Sequence, residues 1–252
     1  MVMLHSSDLV KTYNRHKTMA LRGVSLDVDE GEMFGIIGPD GAGKTSLFRI
    51  FTTLILADSG TATVDGLDVV KDYKEIRRRI GYMPGRFSLY PDLSVRENLE
   101  FFASIFNTTI EENYHLIKDI YQQIEMFHDR RAGKLSGGMK QKLALSCALI
   151  HSPRVLFLDE PTTGVDPVSR KEFWEMLKKL RSEYGITILV STPYMDEAAM
   201  CDRIALINEG SIMKTGTPQA LSAGYPSLED CFIELMKQAS TVTDTTTAPQ
   251  AP

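Results

Sequence analysis

The chain has 252 residues, 43% hydrophobic and 24% charged, with a formal net charge of −5. These values fit a soluble globular protein long enough for a sizeable core, in one α/β domain rather than two small ones, and they argue against a chain built mainly to bind nucleic acid. No apolar run is long enough to span a bilayer, and the opening MVMLHSSDLVKTY lacks the basic start and apolar centre of a secretory signal.

In chain order, residues 3–13 and 18–29 are expected as paired strands around a polar NRHK turn. MFGIIG is an apolar run ending in glycine, a buried strand feeding the loop GPDGAGKTS at 38–46, and KTSLFRIFTTLIL then reads as a helix. TATVDGLDV has the form of a hairpin, and IGYM is another apolar strand. The character changes near Ser94. SVREN opens with a Ser-x-x-Glu capping box, while ENLEFFASIF and EENYHLIKDIYQQIEMF carry apolar residues at helical spacing, so about 87–150 is expected as a mostly helical insertion. Strand VLFL, helix VSRKEFWEMLKKLRSEY, strand ITILV, a short helix and the hairpin RIALINEGSIMKTG follow. This βαβ order implies a largely parallel sheet between helices, with sites at the carboxyl ends of its strands. SLEDCFIELMKQ closes a domain expected to span 1–238, and the Thr/Pro-rich remainder, 239–252, reads as disordered or as a linker. The arginine runs at 77–79 and 130–131 read as solvated faces.

The loop at 38–46 fits the phosphate-binding pattern G-x-x-x-x-G-K-[ST]. Gly38, Gly41 and Gly43 let the backbone turn its N–H groups into one anion-sized hollow, with Pro39, Asp40 and Ala42 between them. Lys44 supplies a point charge for the outer phosphates, Thr45 offers a hydroxyl to Mg²⁺, Ser46 follows, and the helix directs its positive end at the same anion. RVLFLDE places Asp159 at the end of a buried strand with Glu160 next. Paired buried carboxylates need a compensating cation, so Asp159 is assigned to the Mg²⁺ shell and Glu160 to the attacking water. Cys147, Cys201 and Cys231 are odd in number, widely spaced and without C-x-x-C, as expected of reduced, partly buried thiols in a cytosolic protein. The five histidines are scattered, so any metal is expected to arrive with the nucleotide.

LSGGMKQ at 135–141 opens a second helix with Ser136, Gly137 and Gly138, another anion site in a chain that already has one. Two phosphate sites and one nucleotide suggest a shared interface. With the phosphate loop, VLFLDEPTTGVDP and the helical insertion, the sequence resembles the ATP-binding subunit of an ABC transporter over residues 3 to 236. GYMP, RFSLYPDLSVRENL and YMDEAAMCDRIALINEG are most similar to the ATPases of ABC-2 type exporters.

The resemblance implies a P-loop NTPase core with a largely parallel sheet, an amino-terminal antiparallel β subdomain and a helical subdomain. It also implies ATP and Mg²⁺ as ligands, a second ABC ATPase domain packed head to tail, a transmembrane permease subunit, and a place on the inner face of the membrane. Ser136 to Gly138 would close over the partner's ATP, and Asp166 matches the interface aspartate. Tyr13 is either the aromatic that stacks on adenine or a plain strand tyrosine, and Met83, Phe87 and Tyr90 read as packing residues.

Two positions depart from the family pattern. After YMP the family has a glutamine that reaches Mg²⁺ and water, but here stands Gly85. At the end of the ITILV strand it has a histidine that contacts the γ-phosphate, but here stands Pro193. Neither replacement offers a side-chain donor. His151 precedes the strand that Asp159 ends, which puts it on the order of 20 Å away. Losing one transition-state donor costs roughly 2.7 to 4 kcal/mol, about 10² to 10³ in rate, and spares ground-state binding. Firm Mg-ATP binding with slow hydrolysis is therefore expected. Three roles stay open: an exporter's energy-coupling ATPase, a non-hydrolysing module that completes a partner's site, and a soluble ABC protein acting on ribosomes or DNA.

Overall fold

The computed structural model describes residues 1–14 and 17–245. Strands β1 (Val2–Tyr13) and β2 (Thr18–Asp29) form the expected antiparallel pair. The NRHK turn includes residues 15 and 16, which lie outside the described residues. β3 (Met33–Ile37) is buried throughout and leads through the glycine loop into α1 (Lys44–Phe51). This helix is shorter than expected. Thr53 turns left-handed at φ 61°, the amides of Leu54 and Ile55 both donate to the Arg49 carbonyl, and Leu54 and Leu56 are left exposed.

The hairpin is β4 (Ser59–Val64) with β5 (Leu67–Asp68). An unanticipated helix, α2 (Tyr73–Arg79), carries the arginine run, and its Arg79 pairs with Asp65 and Glu75 rather than facing solvent alone. After β6 (Ile80–Met83), α3 (Val95–Ile105) opens with the capping box: the Glu97 amide donates to Ser94 Oγ at 3.1 Å and the Ser94 amide to Glu97 Oε2 at 2.7 Å. Helices α4 (Tyr114–Glu125) and α5 (Gly137–Leu149) complete the helical segment.

The chain then runs through β7 (Val155–Asp159), α6 (Pro167–Tyr184), β8 (Thr187–Thr192), α7 (Met195–Ala198), β9 (Arg203–Asn208), β10 (Ser211–Gly216), α8 (Pro218–Ser222) and α9 (Leu228–Thr245). Helix α9 continues past residue 238, where the tail was expected to start, and residues 246–252 of that tail lie outside the described residues.

Two sheets result. One is antiparallel, in the order β2-β1-β4-β5; the other runs β10-β9-β3-β8-β7-β6 and is parallel except at β10. Side chains alternate across the second sheet and feed two cores. Ile37, Leu158 and Val190 pack with the helical segment, whereas Ile36, Phe157 and Leu189 pack with α1 and the antiparallel sheet. Burial on both faces explains why β3 and β7 are almost continuous apolar runs, whereas the edge strand β10 is not. The three cysteines are fully rather than partly buried, and burial pushes the thiols of Cys147 and Cys201 up. Among the described residues no helix is long and apolar enough to cross a membrane.

Candidate functional site

The strand order places the carboxyl ends of β3, β8 and β7 side by side, with Ile37 opposite Thr192 and Ser191 opposite Asp159. The glycine loop leaves β3 at this edge. Gly41 and Gly43 hold φ of 79° and 106°, and a Cβ on Gly43 would stand 2.3 Å from the Ala20 carbonyl oxygen, so only glycine fits there. Gly38 is equally confined, 2.1 Å from the Ile207 carbonyl oxygen on the same measure. Pro39, Asp40 and Gly41 form the exposed rim, and Ala42 is buried beneath it.

Lys44 is buried at the start of α1. Its Nζ donates to the carbonyls of Gly38 at 2.8 Å and Pro39 at 3.0 Å, and stands 3.1 Å from Glu160 Oε1. A cavity of about 140 Å³ opens between Gly41, Lys44, Thr45, Ser46 and Glu160. Tyr13, on β1, reaches the same loop: its hydroxyl lies 3.2 Å from Ser46 Oγ, and Lys11 Nζ lies 5.7 Å from its ring centre.

The acidic pair is organised by the neighbouring strand, which sequence reasoning missed. Ser191 donates its hydroxyl to Asp159 Oδ1 at 2.6 Å, while the Glu160 amide is shared between Ser191 Oγ at 3.0 Å and the Ser191 carbonyl at 3.1 Å. Glu160 itself is left-handed, φ 50°, a conformation costing about 1–3 kcal/mol for a side-chain-bearing residue and held here by these bonds. No local signal marks Ser191; its role exists only through the pairing of β7 with β8. A buried ammonium, backbone turned by glycines, and hard oxygens on Thr45 and Asp159 together fit a triphosphate and Mg²⁺.

Gly85 lies just beyond β6 with its backbone against the acidic pair. A Cβ there would sit 2.9 Å from the Asp159 carbonyl oxygen and 3.8 Å from Glu160 Cβ. Pro193 follows the last residue of β8, at the edge where the loop and the pair converge. His151 is at the far end of the sheet. It meets the carbonyl of Ile80 at 2.8 Å and stacks on Phe106, and Ile80 is opposite Val155, the first residue of β7, whereas Asp159 is the last.

Ser136 and Gly137 are exposed and do not line the cavity at the glycine loop. Ser136 caps α5, accepting the Met139 amide at 3.3 Å. Gly138 is buried against α6, where a Cβ would stand 2.7 Å from Ser169 Oγ. Asp166 caps α6 beside it and accepts the amides of Val168 and Ser169, bonds that hold its carboxyl below the usual range. Met83 is a core residue, but Phe87 and Tyr90 are surface rings, Phe87 under Lys140 and Tyr90 against Phe101. Beside them a mainly apolar cavity of about 380 Å³ is lined by Leu54, Tyr82, Leu89, Phe102, Ile105 and His151.

A family profile described as ABC transporter matches residues 21–163, which hold the glycine loop, the Ser136–Gly138 turn and the acidic pair. The chain belongs to the ABC transporter family. As an ABC chain it is similar to the probable multidrug ABC transporter ATP-binding protein YbhF of Escherichia coli (strain K12), 45% identical over 81% of this chain and 35% of the relative. It is 40% identical to the Nod factor export ATP-binding protein I of Burkholderia lata, over 81% of this chain and 67% of that protein. The chain thus spans about a third of the first relative's length. Among solved structures, it resembles a dimeric ATP-binding cassette in a post-hydrolysis state with ADP and Pi, TM-score 0.77 and 28% identity, over 85% of this chain and 98% of that one.

Proposed function

We propose that this chain binds Mg-ATP as one of two paired ABC ATPase domains on the cytoplasmic side of an exporter's permease subunit, and hydrolyses it slowly in its own cradle. One observation carries the reading. Lys44, the turned glycine loop and Thr45 line one cavity at the strand edge that Asp159 ends, while Gly85 and Pro193 bring no side-chain donor to that edge.

Lys44 holds the outer phosphates, and in doing so leaves Glu160, its ion-pair partner at 3.1 Å. Thr45 and Asp159 supply oxygens to Mg²⁺, which neutralises phosphate charge when bound. Glu160, released from Lys44, orients and deprotonates water. Tyr13 offers a ring to adenine. The Ser136–Gly138 turn, exposed at Ser136 and Gly137 and with the amino end of α5 behind it, closes over the nucleotide of a second domain, and Asp166 lies at that interface. The apolar cavity beside Phe87 and Tyr90 receives a cytoplasmic helix of the permease. Export is favoured by the names of the relatives, a multidrug transporter ATP-binding protein and a Nod factor export protein. A net charge of −5 speaks against a nucleic-acid partner.

A second reading, an ATP-dependent pairing module that completes a partner's site without turning over its own, is favoured by the same two replacements. An ATP-binding titration beside single-turnover hydrolysis, with Glu160→Gln as control, separates them. A wild-type rate above the control supports slow catalysis, an equal rate supports the module, and no retention of ATP at millimolar concentration ends both.

A further inference from the structure

Beyond Glu160 the chain makes a tight turn to Asp166 before entering α6, and one buried carboxylate outside the nucleotide cradle grips that turn. Glu197, on the four-residue helix α7, is 0% exposed. Its Oε1 accepts the Thr162 hydroxyl at 2.6 Å and its Oε2 the Thr192 hydroxyl at 2.5 Å. Thr192 Oγ1 accepts the Tyr194 amide at 3.1 Å in turn, and Arg170 Nε of α6 stands 3.8 Å from Glu197 Oε1. Arg170 also reaches Asp196 at 3.4 Å and lies over the Tyr194 ring.

Such a buried carboxylate is expensive unless its lone pairs are filled, and a side chain needed merely to fill space would be apolar. Short bonds from two hydroxyls to a charged acceptor are among the stronger hydrogen bonds in a protein. A single helical turn has little stability of its own, so these bonds hold α7 as well. What they join is specific. Thr192 follows Ser191, which binds both Asp159 and the Glu160 amide, and Thr162 lies two residues after Glu160 on the turn that ends at Asp166. Both branches from Glu197 therefore converge on the acidic pair, one through β8 and the other through the turn.

We propose that Glu197 is a positioning residue that locks the 160–166 turn to the end of β8, so that Glu160 and Asp166 keep one fixed relative placement. Resting on the paired-domain reading for what Asp166 faces, this makes Glu197 the link inside one chain between its own nucleotide and its neighbour's. With proline at 193, the end of β8 acts on the site through these hydroxyls.

Emptying the Glu197 site risks unfolding, so the test uses the full chain with Thr162→Val, Thr192→Val, the double variant and Thr162→Ser. In nucleotide-free protein, Thr162→Val is expected to speed amide hydrogen exchange about tenfold in residues 192–197 as well as 160–166, with Thr162→Ser restoring wild-type exchange. Acceleration confined to 160–166, or none, overturns the proposal. With saturating Mg-ATP, each valine variant is expected to lower the single-turnover rate about tenfold with less than about twofold change in ATP Kd, and the double variant to fall no further than the slower single one. Rates that follow Kd, or losses that multiply, overturn it too. Absence of ATP binding in the wild type would refute the Mg-ATP reading, and the exchange measurement would still decide the role of Glu197.

Discussion

A methyl group at Gly85 would meet the Asp159 carbonyl oxygen at 2.9 Å, so Gly85, expected from the resemblance to stand at a glutamine position, is a close-packed glycine. Gly85→Ala should destabilise the fold by about 1–3 kcal/mol in urea unfolding, because backbone must move to admit a Cβ. Gly85→Gln should for the same reason fail to speed single-turnover hydrolysis. Pro193 is different. It follows the last residue of β8 at the open edge of the site, and Pro193→His is expected to raise the single-turnover rate by about tenfold or more while leaving ATP Kd within about twofold, since the gain lies in the transition state. An unchanged rate would mean that position 193 does not reach the phosphates.

Helix starts were legible where a side chain caps its own turn, as at Ser94 and Glu97, because both partners lie within four residues. Helix ends were less so. The apolar run after Phe51 continues the helical pattern, but the left-handed Thr53 stops α1, and Asn98 grips the turn before α3 through the Tyr90 amide and the Tyr90 and Leu93 carbonyls. His151, between β6 and the helical segment, gives a pH test. Its burial holds the imidazole below its ordinary 6.5, so between its folded value and 6.5 the unfolded chain binds more protons. The stability that neutral His151 contributes is complete above 6.5 and is lost as pH falls through the lower folded value. Urea midpoints should therefore drop on acidification across this window, and less so in His151→Gln.

Across the molecule, the glycine loop lies at the carboxyl edge of the parallel sheet, while Ser136 and Gly137 are exposed at the start of α5, beside the Asp166 cap of α6. Neither Ser136 nor Gly137 lines the cavity at the glycine loop, so under the paired-domain reading proposed above they are left to face a second domain. Gly137 tests it cleanly, because a Cβ there meets nothing nearer than the Gly164 carbonyl at 3.7 Å. In a Glu160→Gln background, Gly137→Asp should abolish Mg-ATP-dependent pairing in size-exclusion chromatography, leaving the melting temperature within about 2 °C.

The strand, glycine loop and helix start at 33–44, the acidic pair at the end of β7 and the helix opening at Ser136 were readable from residue types, because each depends on neighbours a few positions away. Gly85 and Pro193 stand out only against the pattern of the family that the sequence resembles, not through their neighbours. Periodicity carried no trace of Ser191 beneath Asp159 and Glu160, of Lys44 paired with Glu160, or of Glu197 between Thr162 and Thr192. Those contacts follow from a strand order, β3-β8-β7, that is not the chain order, and backbone pairing between strands far apart in sequence is set by how two cores close over both faces of one sheet.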